Sequence, residues 1–155
     1  MAFALRSPAF AAGERLPPKH SRDGENVSPP LEWSDPPEGT RSFALVVEDP
    51  DAPSGTFRHW AVYDIDARRT LLPEGTAAGA KTGSLGHGVN DFGNAYYDGP
   101  QPPPGHGVHH YHFRLLALDV DTLRLDERAS IDDVLKEAQK HALGEAELVG
   151  TFEKS

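Results

Sequence analysis

The apolar run Leu45-Val46-Val47 breaks at Asp49-Pro50-Asp51-Ala52-Pro53, and the chain resumes with a second run from Phe57 to Ile65. No other stretch constrains the fold as much. Proline lacks the N–H that a sheet ladder needs, so Asp49 to Pro53 must leave the sheet. The runs on either side read as neighbouring buried strands joined by a tight reversal. Two acids then stand at the mouth of one strand, near His59 on the next. Aspartates in turns often bond their own backbone, so a capped turn explains Asp49 and Asp51 as well as a polar pocket does. The tightness of the reversal predicts a cis peptide at Ala52-Pro53, since cis bonds are essentially a proline feature of tight turns.

The remaining chain reads as strands separated by turns, which fits its 15 glycines and 14 prolines. A first strand is expected over Phe3–Ser7, a short edge strand at Leu31–Trp33, and further strands over Arg41–Val47, Phe57–Ile65 and Val108–Leu118. Leu148–Phe152 closes the sequence as a last strand. Ala67–Gly75 reads as a connector, and Ser21–Pro30 as a long loop of the kind that often carries function. Lys81–Gly88 is glycine-rich but lacks the phosphate-loop spacing, and reads as flexible loop. Val89–Gly93 is a turn around one aromatic anchor, Phe92. The prolines from Pro100 to Pro104 make a stiff segment suited to one wall of a pocket. One segment is helical, with Ser130 as N-cap, Asp133 as its reciprocal partner, Ile131, Val134, Leu135, Ala138 and Ala142 as the apolar stripe, and Gly144 as terminator.

The 155 residues suit one domain, 1–155. A net charge of -9 argues against a general nucleic-acid or anionic-membrane binder. Cysteine is absent, which excludes disulfides and thiolate metal sites. No stretch reads as a signal peptide or is long and apolar enough to cross a bilayer, so a cytoplasmic location is expected.

Three chemistries compete for the His, Asp and Tyr residues. A metal site would use His106, His109, His110 and His112, but strand alternation splits them between two faces. Hydrolase chemistry would need a nucleophile, and Ser54-Gly55 lacks the G-x-S-x-G elbow. An anion pocket would use imidazole and tyrosine donors, with Asp49 or Asp51 fixing the rings. A carboxylate beside a histidine orients its tautomer and favours the charged form, and a charged donor bonds phosphate strongly. The acids would also favour an amine on the ligand.

Asp49-Pro-Asp-Ala-Pro53-Ser-Gly with His59-Trp60, and Gly99-Pro-Gln-Pro-Pro-Pro-Gly-His-Gly-Val-His109-His-Tyr111, are the strongest motifs. Asp23-Gly-Glu-Asn26-Val-Ser-Pro29-Pro30-Leu-Glu-Trp33, Val89-Asn-Asp-Phe92-Gly and Ala146–Phe152 flank them. In this order, across almost the whole chain, they resemble the phosphatidylethanolamine-binding protein family, in its short bacterial, Raf-kinase-inhibitor-like branch. The resemblance implies a mainly β, sandwich-like fold with few peripheral helices, one of them near the C-terminus. It implies no general catalytic activity and no cofactor, but a small pocket for phosphate-type anions, phosphorylated head groups or phosphorylated side chains. Some family members regulate kinases or inhibit proteases, and bacterial ones often form homodimers. Carried over by motif, Asp49, His59, His109 and Tyr111 are the pocket's polar residues, Asp51 supports them, and Pro102 and Pro103 belong to the rim. A His-dependent hydrolase or metalloenzyme is the competing class. His20-Ser21-Arg22 departs from the Tyr-Thr-Cys common in bacterial relatives; Arg22 adds a cation that either alters ligand preference or faces solvent.

In a strand from Val108, His109, Tyr111, Phe113 and Leu115 share one face, and His110, His112 and Arg114 the other. Replacing His110 and His112 together by Ala is therefore expected to leave anion affinity within a few-fold. A loss above about tenfold, ~1.4 kcal/mol, would show that the faces are reversed.

Overall fold

A computed structural model describes residues 2–53, 55–76, 85–126 and 128–154. The strands are β1 (Ala4–Arg6), β2 (Leu31–Ser34), β3 (Ser42–Asp49), β4 (Phe57–Asp66), β5 (Leu71–Leu72), β6 (Gly86–His87), β7 (His109–Leu118) and β8 (Ala142–Phe152). The one α-helix among the described residues, α1, spans Ile131–Lys140. The strands form two antiparallel sheets, ordered β1-β2-β5 and β6-β4-β3-β7-β8. This is the expected β-sandwich with one helix near the C-terminus.

Strand alternation sorts the core into two layers. Phe43, Leu45 and Val47 of β3 meet Phe113 and Leu115 of β7 and Leu5, Leu31 and Trp33 of the small sheet. Ala44 and Val46 point the other way and pack with Leu116 and Leu118 against Ile131, Val134, Leu135 and Ala138 of α1. Every residue of β3 is buried because one of its faces looks into each layer. Asp49 ends β3 in the phase of Val47, and His109 and Tyr111 begin β7 in the phase of Phe113. The polar residues thus cap the end of the layer between the sheets.

Several boundaries differ from the sequence reading. The short strand β2 is not at an edge; it lies between β1 and β5, and β5 falls inside the expected connector. Gly86–His87 pairs with β4 instead of remaining loop; Lys81 to Ser84 lie outside the described residues. The last strand begins at Ala142, directly after the helix cap at His141, so Gly144 sits in a strand and Ala142 is not on the helical stripe. Pairing of β8 along the whole of β7 overrides the local helix-stop signal. Ala52-Pro53 is trans, as are all peptide bonds among the described residues, which corrects the expected cis bond. The reversal is made otherwise. Asp51 N–H donates to Asp49 Oδ1 at 2.8 Å. Gly55 N–H donates to the Ala52 carbonyl at 3.0 Å, with Gly55 at a φ of 109° that glycine tolerates best.

The capping box of α1 is present as expected: Asp133 N–H donates to Ser130 Oγ at 3.1 Å, and Ser130 N–H to Asp133 Oδ2 at 3.2 Å. Ser130→Ala is expected to cost about 1 kcal/mol in urea unfolding. The double variant with Asp133→Ala should cost less than the sum of the two, because both act in one motif; strict additivity would show that the box is not a unit.

Candidate functional site

At the end of the layer between the sheets lies a cavity of about 240 Å³. Its wall is assembled from four separate stretches: Asp49 with the Ala52-Pro53 turn, Phe57 with His59, Phe92 with the Gln101–Pro103 segment, and His109 with Tyr111. Six of the seven residues singled out in the sequence line it, namely Asp49, His59, Pro102, Pro103, His109 and Tyr111. Asp51 does not. Its Oδ2 accepts both the backbone N–H and the Nδ1–H of His110, each at 2.8 Å, on the outer side of the strand. That bond holds the Asp51 carboxyl below its usual range.

Asp49 and His109 are almost fully buried and pair directly, His109 Nδ1 donating to Asp49 Oδ2 at 2.6 Å. Burial, the Asp49 charge and a hydrogen bond to Asp49 all push the Tyr111 phenol up, so it stays protonated. His59 reaches the cavity through a β-bulge. Val47 faces Trp60 and the next residue, Glu48, faces Arg58, so His59 is the extra residue. A bulge of this kind re-aims a side chain. Here Trp60 stays in the core while His59 turns to the cavity.

The ring of His59 is held from behind by a polar network that sequence reasoning missed. His59 Nδ1–H donates to the Asp98 carbonyl at 2.9 Å. The Asp98 carboxylate is itself buried. It accepts from Arg22 Nε at 3.2 Å and Asn26 Nδ2 at 3.0 Å on one oxygen, and from Asn90 and Asn94 Nδ2 at 2.9 Å each on the other. Burial alone would raise this carboxyl; the four donors outweigh it and keep it below its usual value. Asn90 Oδ1 also accepts the backbone N–H of Phe92 at 2.9 Å, which sets that ring in the wall. Arg22 neither enters the cavity nor merely faces water. Its guanidinium lies 4.0 Å over the Phe92 ring, and Nη1 donates to Gln101 Oε1 at 3.0 Å.

Burial pushes the His59 imidazole below its ordinary value, against partial opposition from the Asp98 carbonyl and the nearby Asp49 charge. Asp49 bonds His109 and not His59, so the expectation of a charged His59 is corrected: in this cavity it is neutral. The outer face of β7 is as expected, with His110 on Asp51 and His112 on Glu147 at 3.2 Å. Among the described residues no cluster of three or more His, Asp or Glu is arranged to hold a metal ion.

The sequence model of the phosphatidylethanolamine-binding protein family matches residues 6–153. A protein of Aquifex aeolicus named UPF0098 protein is 42% identical over 148 residues, covering 96% of this chain and 86% of its own. The putative lipoprotein LppC of Mycobacterium tuberculosis is 43% identical over 152 residues, covering 97% of this chain and 72% of its own. The crystal structure of Escherichia coli YbcL, described as a new member of the mammalian PEBP family, superposes with a TM-score of 0.94 at 35% identity and full coverage of both chains. The chain belongs to the phosphatidylethanolamine-binding protein family, in its bacterial branch. Neither the family description nor these names denotes an enzyme. No helix among the described residues is long and apolar enough to cross a membrane.

The neutral, buried His59 has a consequence for stability. A histidine whose folded pKa is depressed contributes fully above its unfolded value, and that contribution is lost as pH falls through the folded one. Wild-type stability is thus expected to decline below about pH 6.5, and His59→Gln should flatten that part of the profile. Parallel pH profiles of the two proteins in urea unfolding would refute the assignment.

Proposed function

We propose that the chain is an oxyanion-binding module that takes the phosphoryl group of small phosphorylated molecules or lipid head groups into the cavity at the sandwich end. One observation carries this reading: Asp49, His59, His109 and Tyr111, from three separate strands, converge with Pro102 and Pro103 on one cavity. Its volume is small beside the ~300–1,000 Å³ of drug-sized pockets, which suits a head group. Among the described residues no Lys or Arg lines it, so the anion is met by imidazole, amide and hydroxyl groups. Asp49 in the same wall favours a ligand that also carries an ammonium, as phosphoethanolamine does. A phosphorylated protein side chain presents the same group, and through it the module would regulate a kinase or a protease.

The test compares inorganic phosphate with phosphoethanolamine by calorimetry. Phosphoethanolamine is expected to bind more tightly, and Asp49→Asn to close the gap. His109→Ala should weaken both ligands by roughly ten- to a hundredfold, from a lost bond to a charged group of about 1.5–3 kcal/mol. Absence of saturable binding of either ligand at millimolar concentration would end this reading.

A further inference from the structure

His106 makes a contact that the reading above leaves unused. Its Nδ1 lies 2.6 Å from His109 Nε2. His109 Nδ1 is meanwhile on Asp49. A carboxylate only accepts, so the proton of that bond sits on His109 Nδ1. In the neutral ring Nε2 is then bare, and the proton between the two imidazoles belongs to His106 Nδ1. Both nitrogens of His109 are thus engaged within the protein, and neither offers an N–H to the cavity. His59 offers none either: its Nδ1–H is given to the Asp98 carbonyl, and Nε2 of a neutral ring accepts. At both imidazoles an oxyanion entering this cavity meets acceptors where it needs donors.

We infer that the site binds its oxyanion together with one proton from solvent, and that His106 is a binding residue. The proton enters at His109 Nε2. His109 and His106 then face each other N–H to N–H, separate, and each donates to an oxygen of the anion. Asp49 stays beside the imidazolium as its counter-charge, and the proton leaves with the anion. This rests on the oxyanion reading.

The local chain allows the movement. His106 is exposed and lies between Gly105 and Gly107, with φ of 73° and 93°, and neither glycine has an atom within 4 Å of where a Cβ would stand. The loop keeps its backbone anchors, Gly105 N–H on the Lys154 carbonyl and His106 N–H on the Pro103 carbonyl, both at 3.1 Å. The other charged and titratable groups around the pair are Asp51 with its partner His110, His59 and Tyr111 across the cavity, and Lys154, whose ammonium is held by Asp23 at 3.0 Å.

Sulfate is the probe, because it does not titrate near neutrality and any proton taken up must go to the protein. Calorimetry at about pH 7.5 in two buffers of different ionisation enthalpy is expected to show uptake of about one proton per sulfate bound. His106→Ala should weaken sulfate about tenfold, His106→Gln should recover part of that loss through its amide N–H, and His109→Gln should abolish the uptake. Uptake near zero in wild type, or unchanged or tighter binding in His106→Ala, overturns the inference while the oxyanion reading stands. Failure of wild type to bind both sulfate and phosphate ends both.

Discussion

The buried carboxylate of Asp98 is the fixed point of the cavity. A charge removed from water persists only when its lone pairs are met, and here each oxygen receives two donors. Those donors come from two loops, Arg22 and Asn26 from one and Asn90 and Asn94 from the other. Satisfying one carboxylate therefore ties both loops to the segment that carries Asp98. The same residue's carbonyl holds His59, and Asn26 Oδ1 accepts the next N–H, that of Gly99, at 2.7 Å. Gly99 is packed so tightly that a Cβ there would meet the His20 carbonyl oxygen at 1.8 Å. Without this knot Phe92 and Gln101 would have no set place in the wall.

The other half of the wall depends on the sheet. Tyr111 ends the apolar column of β7, and Asp49 and His109 extend the columns of β3 and β7 past the point where the core ends. Their direction follows from strand alternation alone. Burial and the Asp49–His109 pair then act together: the strand places the carboxylate, and the carboxylate fixes which nitrogen of His109 carries the proton.

This division explains what the sequence made legible. Asp49, His109 and Tyr111 are readable because alternation gives each a face, and the Asp-Pro-Asp-Ala-Pro and His-His-Tyr motifs mark the strand mouths. The helix was readable from its cap and stripe, but its end was not, since pairing of β8 with β7 starts where a local signal still favours helix. The bulge that turns His59 inward leaves no trace in residue spacing, because it is a property of two strands in register. The Asp98 hub was equally hidden: its partners lie 76, 72, 8 and 4 residues away, and an Asp in a Gly/Pro-rich loop resembles any turn aspartate. Arg22 was visible as a departure from its relatives, but only packing shows that it clamps Phe92 and Gln101 from behind.

The burial of β3 on both faces has a kinetic consequence. Flanked by β4 and β7 and shielded from solvent at every position, its interior amides are expected to exchange hydrogen only when the whole sheet opens. The loops that complete the cavity are held by side-chain bonds and by single backbone bonds, such as Asp91 N–H on the Arg58 carbonyl at 3.0 Å, and not by a continuous ladder, so local openings are expected to release them before the sheet. Asp49, at the end of this doubly flanked strand, is thus expected to stay in register through local openings of the opposite wall.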